Sequence, residues 1–205
     1  MSILLVRHGE TALNAARVLQ PPDTPLSPRG LAQAQAVAQR LSREPVAAIV
    51  SSDLLRARQT AEVIARPWPG LSVDTWDSLR ERDFGDWRGQ PYDRLPADPL
   101  RLEGAPPGGE SQAAFAARCA QAWAALLALR SGLPGHLVVV SHGLSIRQWL
   151  RDVPPSGQAG VADARLGNTA VSVVDAHPPH LLRLFNCTQH LPPALQEAAH
   201  SLSGG

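Results

Sequence analysis

Apolar residues recur along this chain in two rhythms, short unbroken runs and longer stretches at helical spacing. Residues 3–6 (ILLV) form such a run, the pattern of a short strand buried on both faces. Ser27 and Pro28 then supply a cap and a first-turn proline for a helix with Leu31, Ala34, Ala38 and Leu41 on one face. The unit repeats. Residues 46–50 predict a strand, and Ser52 a cap for a helix carrying Leu54, Ala57, Ala61 and Ile64, ended by Pro67 and Pro69. Phe115, Cys119, Ala122 and Leu126 mark a long helix, residues 137–140 another buried strand, and a further helix opens near Gly143. Residues 170–174 and 181–185 predict two last strands, joined through His177-Pro178-Pro179 as an antiparallel pair.

Strands alternating with helices imply an α/β domain, because a strand apolar on both faces needs helices above and below it. The expectation is a three-layer sandwich with a mostly parallel central sheet and one antiparallel edge region. Two stretches break the rhythm. Residues 82–110, rich in Pro, Gly and Arg, are long enough to be a functional lid, and residues 192–205 are expected to be a mobile tail behind a domain spanning 1–191.

Composition narrows the function. With 205 residues, 44% hydrophobic and 18% charged, the chain suits one domain with a sizeable core. A net charge of +1, with basic residues scattered, leaves no nucleic-acid or membrane footprint. All 19 basic residues are arginine, which removes any mechanism needing a lysine Schiff base or a phosphate-loop lysine. Cys119 and Cys187 lie far apart without metal-ligand spacing and read as small core residues, so no metal is expected. The apolar run at the N-terminus is far too short for a signal or a membrane span, so a cytoplasmic setting is expected.

In open α/β sheets ligands bind beyond the carboxyl ends of the strands. Arg7, His8 and Gly9 follow the first strand there, and His142 and Gly143 follow the strand at 137–140. Arg56 falls in the first turn of a helix, the wrong end of the dipole for a cation, and so calls for an anionic partner. Two histidines and two arginines with few carboxylates beside them are costly to assemble unless a dianion such as phosphate fills the site.

These residues stand within RHGET, SSDLLRARQTAE, LRERDFGDWRG and VVVSHG, and in that order the four blocks resemble the histidine phosphatase superfamily, which also holds cofactor-dependent phosphoglycerate mutases. The resemblance runs from Ile3 to about His190 and implies a phosphoglycerate mutase-like fold. By residue, it implies His8 as nucleophile, Arg7 and Arg56 as phosphate-binding arginines, His142 as the second histidine and Glu81 as proton donor. Thr11, Asn14, Gln20 and Gly143 match positions that contact substrate or phosphate. The expected reaction is metal-independent hydrolysis of a small phosphomonoester, without cofactor, with a mutase as the alternative and a non-catalytic phosphoester-binding domain as a third reading. The partners implied are a small phosphorylated metabolite and, optionally, a second copy of the chain in a homodimer. The chain departs from its relatives at Gln20-Pro21-Pro22-Asp23, a shortened loop without the usual glycine, and at Leu144, where mutases hold an asparagine. It also lacks the lysine and the arginine pair of their lid. The non-phosphate part of the substrate is expected to meet Arg82, Trp87, Tyr92, Arg94 and Arg101.

Overall fold

The computed structural model describes residues 1–156 and 165–196. Six strands form its sheet: β1 (Ser2–Arg7), β2 (Val46–Ser52), β3 (Val73–Trp76), β4 (His136–Ser141), β5 (Val171–Asp175) and β6 (Leu182–Cys187). Their order across the sheet is β3-β2-β4-β1-β5-β6. The four from β3 to β1 run parallel, whereas β5 is antiparallel to both β1 and β6. The antiparallel region is therefore two strands at one edge, as the sequence implies.

Alternation along the central strands sorts the core into two halves. Ile3 and Leu5 of β1, with Leu137 and Val139 of β4, face α4 (Gln112–Ser131) and α5 (Gly143–Leu150). Leu4 and Val6, with Val138 and Val140, face α2 (Pro28–Leu41) and α3 (Leu55–Ala65). Helices, sheet and helices make the three layers. A short helix, α1 (Ala12–Ala15), adjoins the end of β1.

Four details depart from the sequence reading. Leu31 is 41% exposed, because the buried face of α2 is Gly30, Gln33, Ala34, Val37, Ala38 and Leu41, about one helical step away. Ser52 ends β2 and does not cap α3, whose N-cap Leu54 has no side-chain bond. β3 went unforeseen because VDTW is a half-exposed edge strand with one clear apolar alternation. Cys187 is half-buried, its Sγ 3.3 Å from Arg40 Nη1, rather than a core residue.

Residues 82–110 form an ordered cover. Phe84 and Trp87 make a third apolar cluster with Leu19, bordered by Tyr92, Leu95, Leu102 and Leu144. Backbone bonds between Leu19 and both Gln90 and Gly89, and from Tyr92 N–H to Arg17 O, sew the cover to the loop after α1. Gly85 sits at φ +49, and a side chain there would meet Pro107 O at 2.1 Å, so the turn requires glycine. Of residues 192–205, those up to 196 are hydrogen-bonded to α2, through Gln33 to Leu195 O and Arg29 to Gln196 O, and 197–205 lie outside the described residues. No described helix is long and apolar enough to cross a membrane.

Candidate active site

β1 and β4 are parallel neighbours in the register Val6↔Val140 and Arg7↔Ser141, so the residues that follow them emerge side by side. Those residues are His8 and His142, both fully buried, with ring centroids 5.2 Å apart. Arg7, the last residue of β1, is fully buried and donates from Nη1 to Leu166 O. Arg56, second in α3, reaches in from the helix layer and donates from Nε to His8 Nε2 at 3.3 Å.

Hydrogen bonds orient both imidazoles. His8 Nδ1 lies 2.7 Å from Gly9 O, and a carbonyl only accepts, so Nδ1 carries the proton and Nε2 keeps its lone pair. His142 Nε2 lies 2.9 Å from Ser52 Oγ, a hydroxyl that accepts the Leu54 N–H and can serve the ring as donor or as acceptor. Nδ1 of His142 is buried without a partner among the described residues. Burial first, then the charges of Arg56, His8 and Arg7, hold His142 well below the usual imidazolium range. A neutral imidazole thus stands beside the nitrogen lone pair of His8.

Glu81 is the buried acid. Its carboxylate accepts the backbone N–H of Arg82 at 3.0 Å and of Leu144 at 2.9 Å, and Ser145 Oγ lies 3.3 Å away. Burial raises its carboxyl above the ordinary value and outweighs those bonds and the charges of Arg56 and Arg7, which act the other way. Burial also lowers Arg56, to about 10, so it still carries its charge at neutral pH. The anionic partner expected of Arg56 is not a protein carboxylate: no described carboxylate lies within ion-pair distance, and Nη1 instead donates to Pro21 O at 3.4 Å.

Around this centre the backbone is held by residues that sequence reasoning missed. Gly9 N–H donates to Thr60 Oγ1, and Asn168 Nδ2 donates to His8 O. Ser52, read as a cap, instead orients His142. Thr60 was hidden as one polar residue on an amphipathic helix, and Asn168 because its loop enters from far along the chain. Thr11, Asn14 and Gln20 are buried together. Thr11 Oγ1 donates to Gln20 Oε1 and accepts the Asn14 N–H in a capping box on α1, and Gln20 lines a slot with Arg56 and Glu81. Gly143 opens α5, buried beside His142. Of the residues expected to meet the rest of the substrate, Trp87 is in the cover's apolar cluster, Arg94 is exposed, and Arg82 is tied to Glu110 O, Gln112 Oε1 and Gly104 O. Tyr92 carries a buried hydroxyl without a partner among the described residues, which burial pushes above its usual pKa. Among the described residues, no three His, Cys, Asp or Glu side chains group as metal ligands would.

Paired histidines at neighbouring strand ends, two buried arginines and a buried acid thus stand together on an α/β sandwich, a grouping whose charge suits a phosphoryl group. Residues 3–187 match the model of the histidine phosphatase superfamily (branch 1), and the chain belongs to that family. Among curated relatives, a probable phosphoglycerate mutase GpmB of Yersinia pestis is 36% identical over 185 residues, 85% of each chain. Two solved structures are similar throughout. One is a phosphoserine phosphatase variant from Entamoeba histolytica in complex with phosphoserine, at TM-score 0.75 and 30% identity over 93% of this chain and 99% of that one. The other is a mycobacterial glucosyl-3-phosphoglycerate phosphatase, at TM-score 0.74 and 30% identity over 90% and 97%.

Proposed function

We propose that this protein is a metal-independent phosphatase that hydrolyses a small phosphomonoester through a phosphohistidine formed on His8. The observation that carries the reading is the His8 ring, fixed by Gly9 O with its Nε2 lone pair turned to Arg56. Nε2 attacks phosphorus as the ester oxygen leaves. Arg7, Arg56 and His142 hold the phosphoryl oxygens while charge moves across them, which is most of what a protein contributes to phosphoryl transfer. Glu81, whose carboxyl burial shifts toward the protonated form, gives its proton to the departing oxygen. Ionised Glu81 then takes a proton from water, which attacks phospho-His8 and releases phosphate. Arginine charge serves the phosphoryl group where other phosphatases use a metal ion.

Radiolabelled ester mixed rapidly with enzyme and quenched should leave a label on protein that is lost in acid and kept in alkali. His8→Ala should carry none and lose several powers of ten in turnover. An acid-stable label, or turnover in His8→Ala above a tenth of wild type, would overturn the reading. The name of the Yersinia pestis relative favours a mutase as second reading. Against it stand Leu144 and the absence of lysine from the sequence, which leave fewer grips on a displaced bisphosphorylated intermediate. Isomerisation of 3-phosphoglycerate primed with 2,3-bisphosphoglycerate, run beside phosphate release from a metabolite panel, decides between them. Faster isomerisation selects the mutase.

A further inference from the structure

The chain enters β5 through a bulge that lies against the backbone of the nucleophile. Val171 pairs with Val6, but just before it two residues, Thr169 and Ala170, oppose Arg7 alone. Thr169 N–H donates to Arg7 O at 3.0 Å, and Arg7 N–H donates to Ala170 O at 3.3 Å. Thr169 sits at φ +55. This is the bond pattern of a β-bulge whose first residue is left-handed, a place that glycine ordinarily takes. A β-branched residue is strained there, because its Cβ crowds the backbone.

The bulge grips both peptide groups that flank His8. Arg7 O belongs to the peptide before it. His8 O, in the peptide after it, accepts Asn168 Nδ2 at 3.0 Å and the Thr169 N–H at 3.4 Å. With both planes fixed, the Cα–Cβ bond of His8 has one direction, and the ring oriented by Gly9 O turns about that bond. The Thr169 hydroxyl is in turn bonded twice. Oγ1 donates to Asn168 O at 2.7 Å and lies 3.2 Å from His190 Nε2. Arg40 Nη1 lies 3.2 Å from His190 Nδ1, and a guanidinium only donates, so Nδ1 accepts and Nε2 of the neutral ring carries the hydrogen. His190 therefore donates to Thr169 Oγ1. Thr169 is fully buried, His190 is half-buried, and Arg40 comes from the last turn of α2, so the bonds run inward from the helix layer to the carbonyls of Arg7 and His8.

We propose that Thr169 and His190 are positioning residues for the nucleophile: the His190 N–H holds Thr169 in the left-handed bulge that aims His8 at phosphorus. The proposal rests on the phosphatase reading and adds to it a brace outside the reacting groups. Glycine would adopt the same bulge unaided. Threonine adopts it only while Asn168 O and His190 bind its hydroxyl.

The test measures nitrophenolate released from para-nitrophenyl phosphate in a single turnover with enzyme in excess, since that step is the attack by His8 and needs little help from Glu81. His190→Ala and Thr169→Val each remove the bond between the two residues. Both should lower the saturating rate about ten- to a hundredfold, the scale of a reacting group displaced by up to about 1 Å. The half-saturating concentration should change less, because Arg56 and His142 are anchored by α3 and by Ser52. His190→Gln, whose amide donates in place of Nε2, should recover most of the rate. Thr169→Gly should lose less than Thr169→Val although it removes more atoms, because glycine needs no holding at positive φ. Rates are taken on protein whose urea transition shows it folded, and if His190→Ala does not fold, the two substitutions at Thr169 decide. Hydrogen exchange reads the same geometry without turnover: the His8 amide should exchange about tenfold faster in Thr169→Val, with the amides of α3 unchanged. Rates of His190→Ala and Thr169→Val within about a factor of two of wild type overturn the proposal. So does no recovery in His190→Gln, Thr169→Gly no better than Thr169→Val, or an unchanged His8 amide. A wild type that releases no nitrophenolate, with the His8 amide loosened in Thr169→Val, keeps the brace and overturns the phosphatase reading instead.

Discussion

Glu81 concentrates the chemistry of the site in one side chain. Two backbone N–H groups and two arginines favour its charged form, yet burial prevails and shifts its carboxyl toward the protonated form. The role predicts an asymmetry. Glu81→Gln should slow esters of poor leaving groups by about a hundredfold or more while an activated aryl phosphate, whose oxygen needs little protonation, slows far less. Equal slowing of the two substrates would make Glu81 a structural residue. Arg7, His8, Arg56, Glu81 and His142 were all legible in the sequence, because motif blocks and strand ends mark where such groups must stand. Ser52, Thr60 and Asn168 were not. Each acts by a hydrogen bond to a residue at least 51 positions away, and no local pattern records such a bond.

At the scale of elements, the loop that carries His8 is fixed against the start of α2. Ser27 caps that helix by accepting the Gly30 N–H, and its hydroxyl lies 3.0 Å from the Glu10 carboxylate. The two backbones touch. A Cβ on Gly30 would lie 2.0 Å from Glu10 O, and one on Gly9 would lie 2.6 Å from Gly30 O. Helix propensity alone would have Gly30→Ala stabilise the protein by about 1 kcal/mol. Because the obstruction is backbone, the opposite is expected: a loss of about 2–3 kcal/mol in urea unfolding, with catalysis impaired in the protein that remains folded. A neutral or stabilising effect would show that the loop and helix yield freely. The sequence located the Ser27 cap and the helix, since capping is a local signal. It misplaced Leu31 on the buried face, because which stripe of a helix turns inward depends on the loop packed against it.

Across the whole molecule, neutral histidines wholly or partly shielded from water make stability depend on pH. His190 accepts from Arg40 Nη1 at Nδ1 and contacts Thr169 Oγ1 at Nε2, and burial, then Arg40, lowers its pKa to about 4 from 6.5. Cys187 Sγ shares the same arginine. A folded-state pKa below the unfolded one means that the unfolded chain binds more protons in between, so this contribution is complete above about pH 6.5 and is lost as pH falls toward 4. His142 acts with the same sign. Glu81, shifted upward from 4.5, acts oppositely, its ionisation weakening the fold as pH rises through its folded value. His190→Gln should therefore flatten the decline of urea midpoint between pH 6.5 and 4 relative to wild type, and parallel curves would exclude His190 as a source. The sheet order carries a further consequence, for how the site comes into being. β1 and β4 meet only after closing a loop in which Ser2 and His136 are separated by 134 positions, and the cost of closing so long a loop is met before the pairing returns any stability. His8 and His142 lie at the ends of those two strands, so the two histidines become neighbours only when one of the two longest-range pairings in the sheet is made. A partly folded chain, even one with α2, β2 and α3 in place, thus holds the two histidines apart, and any reaction that needs both must wait for the sheet to close.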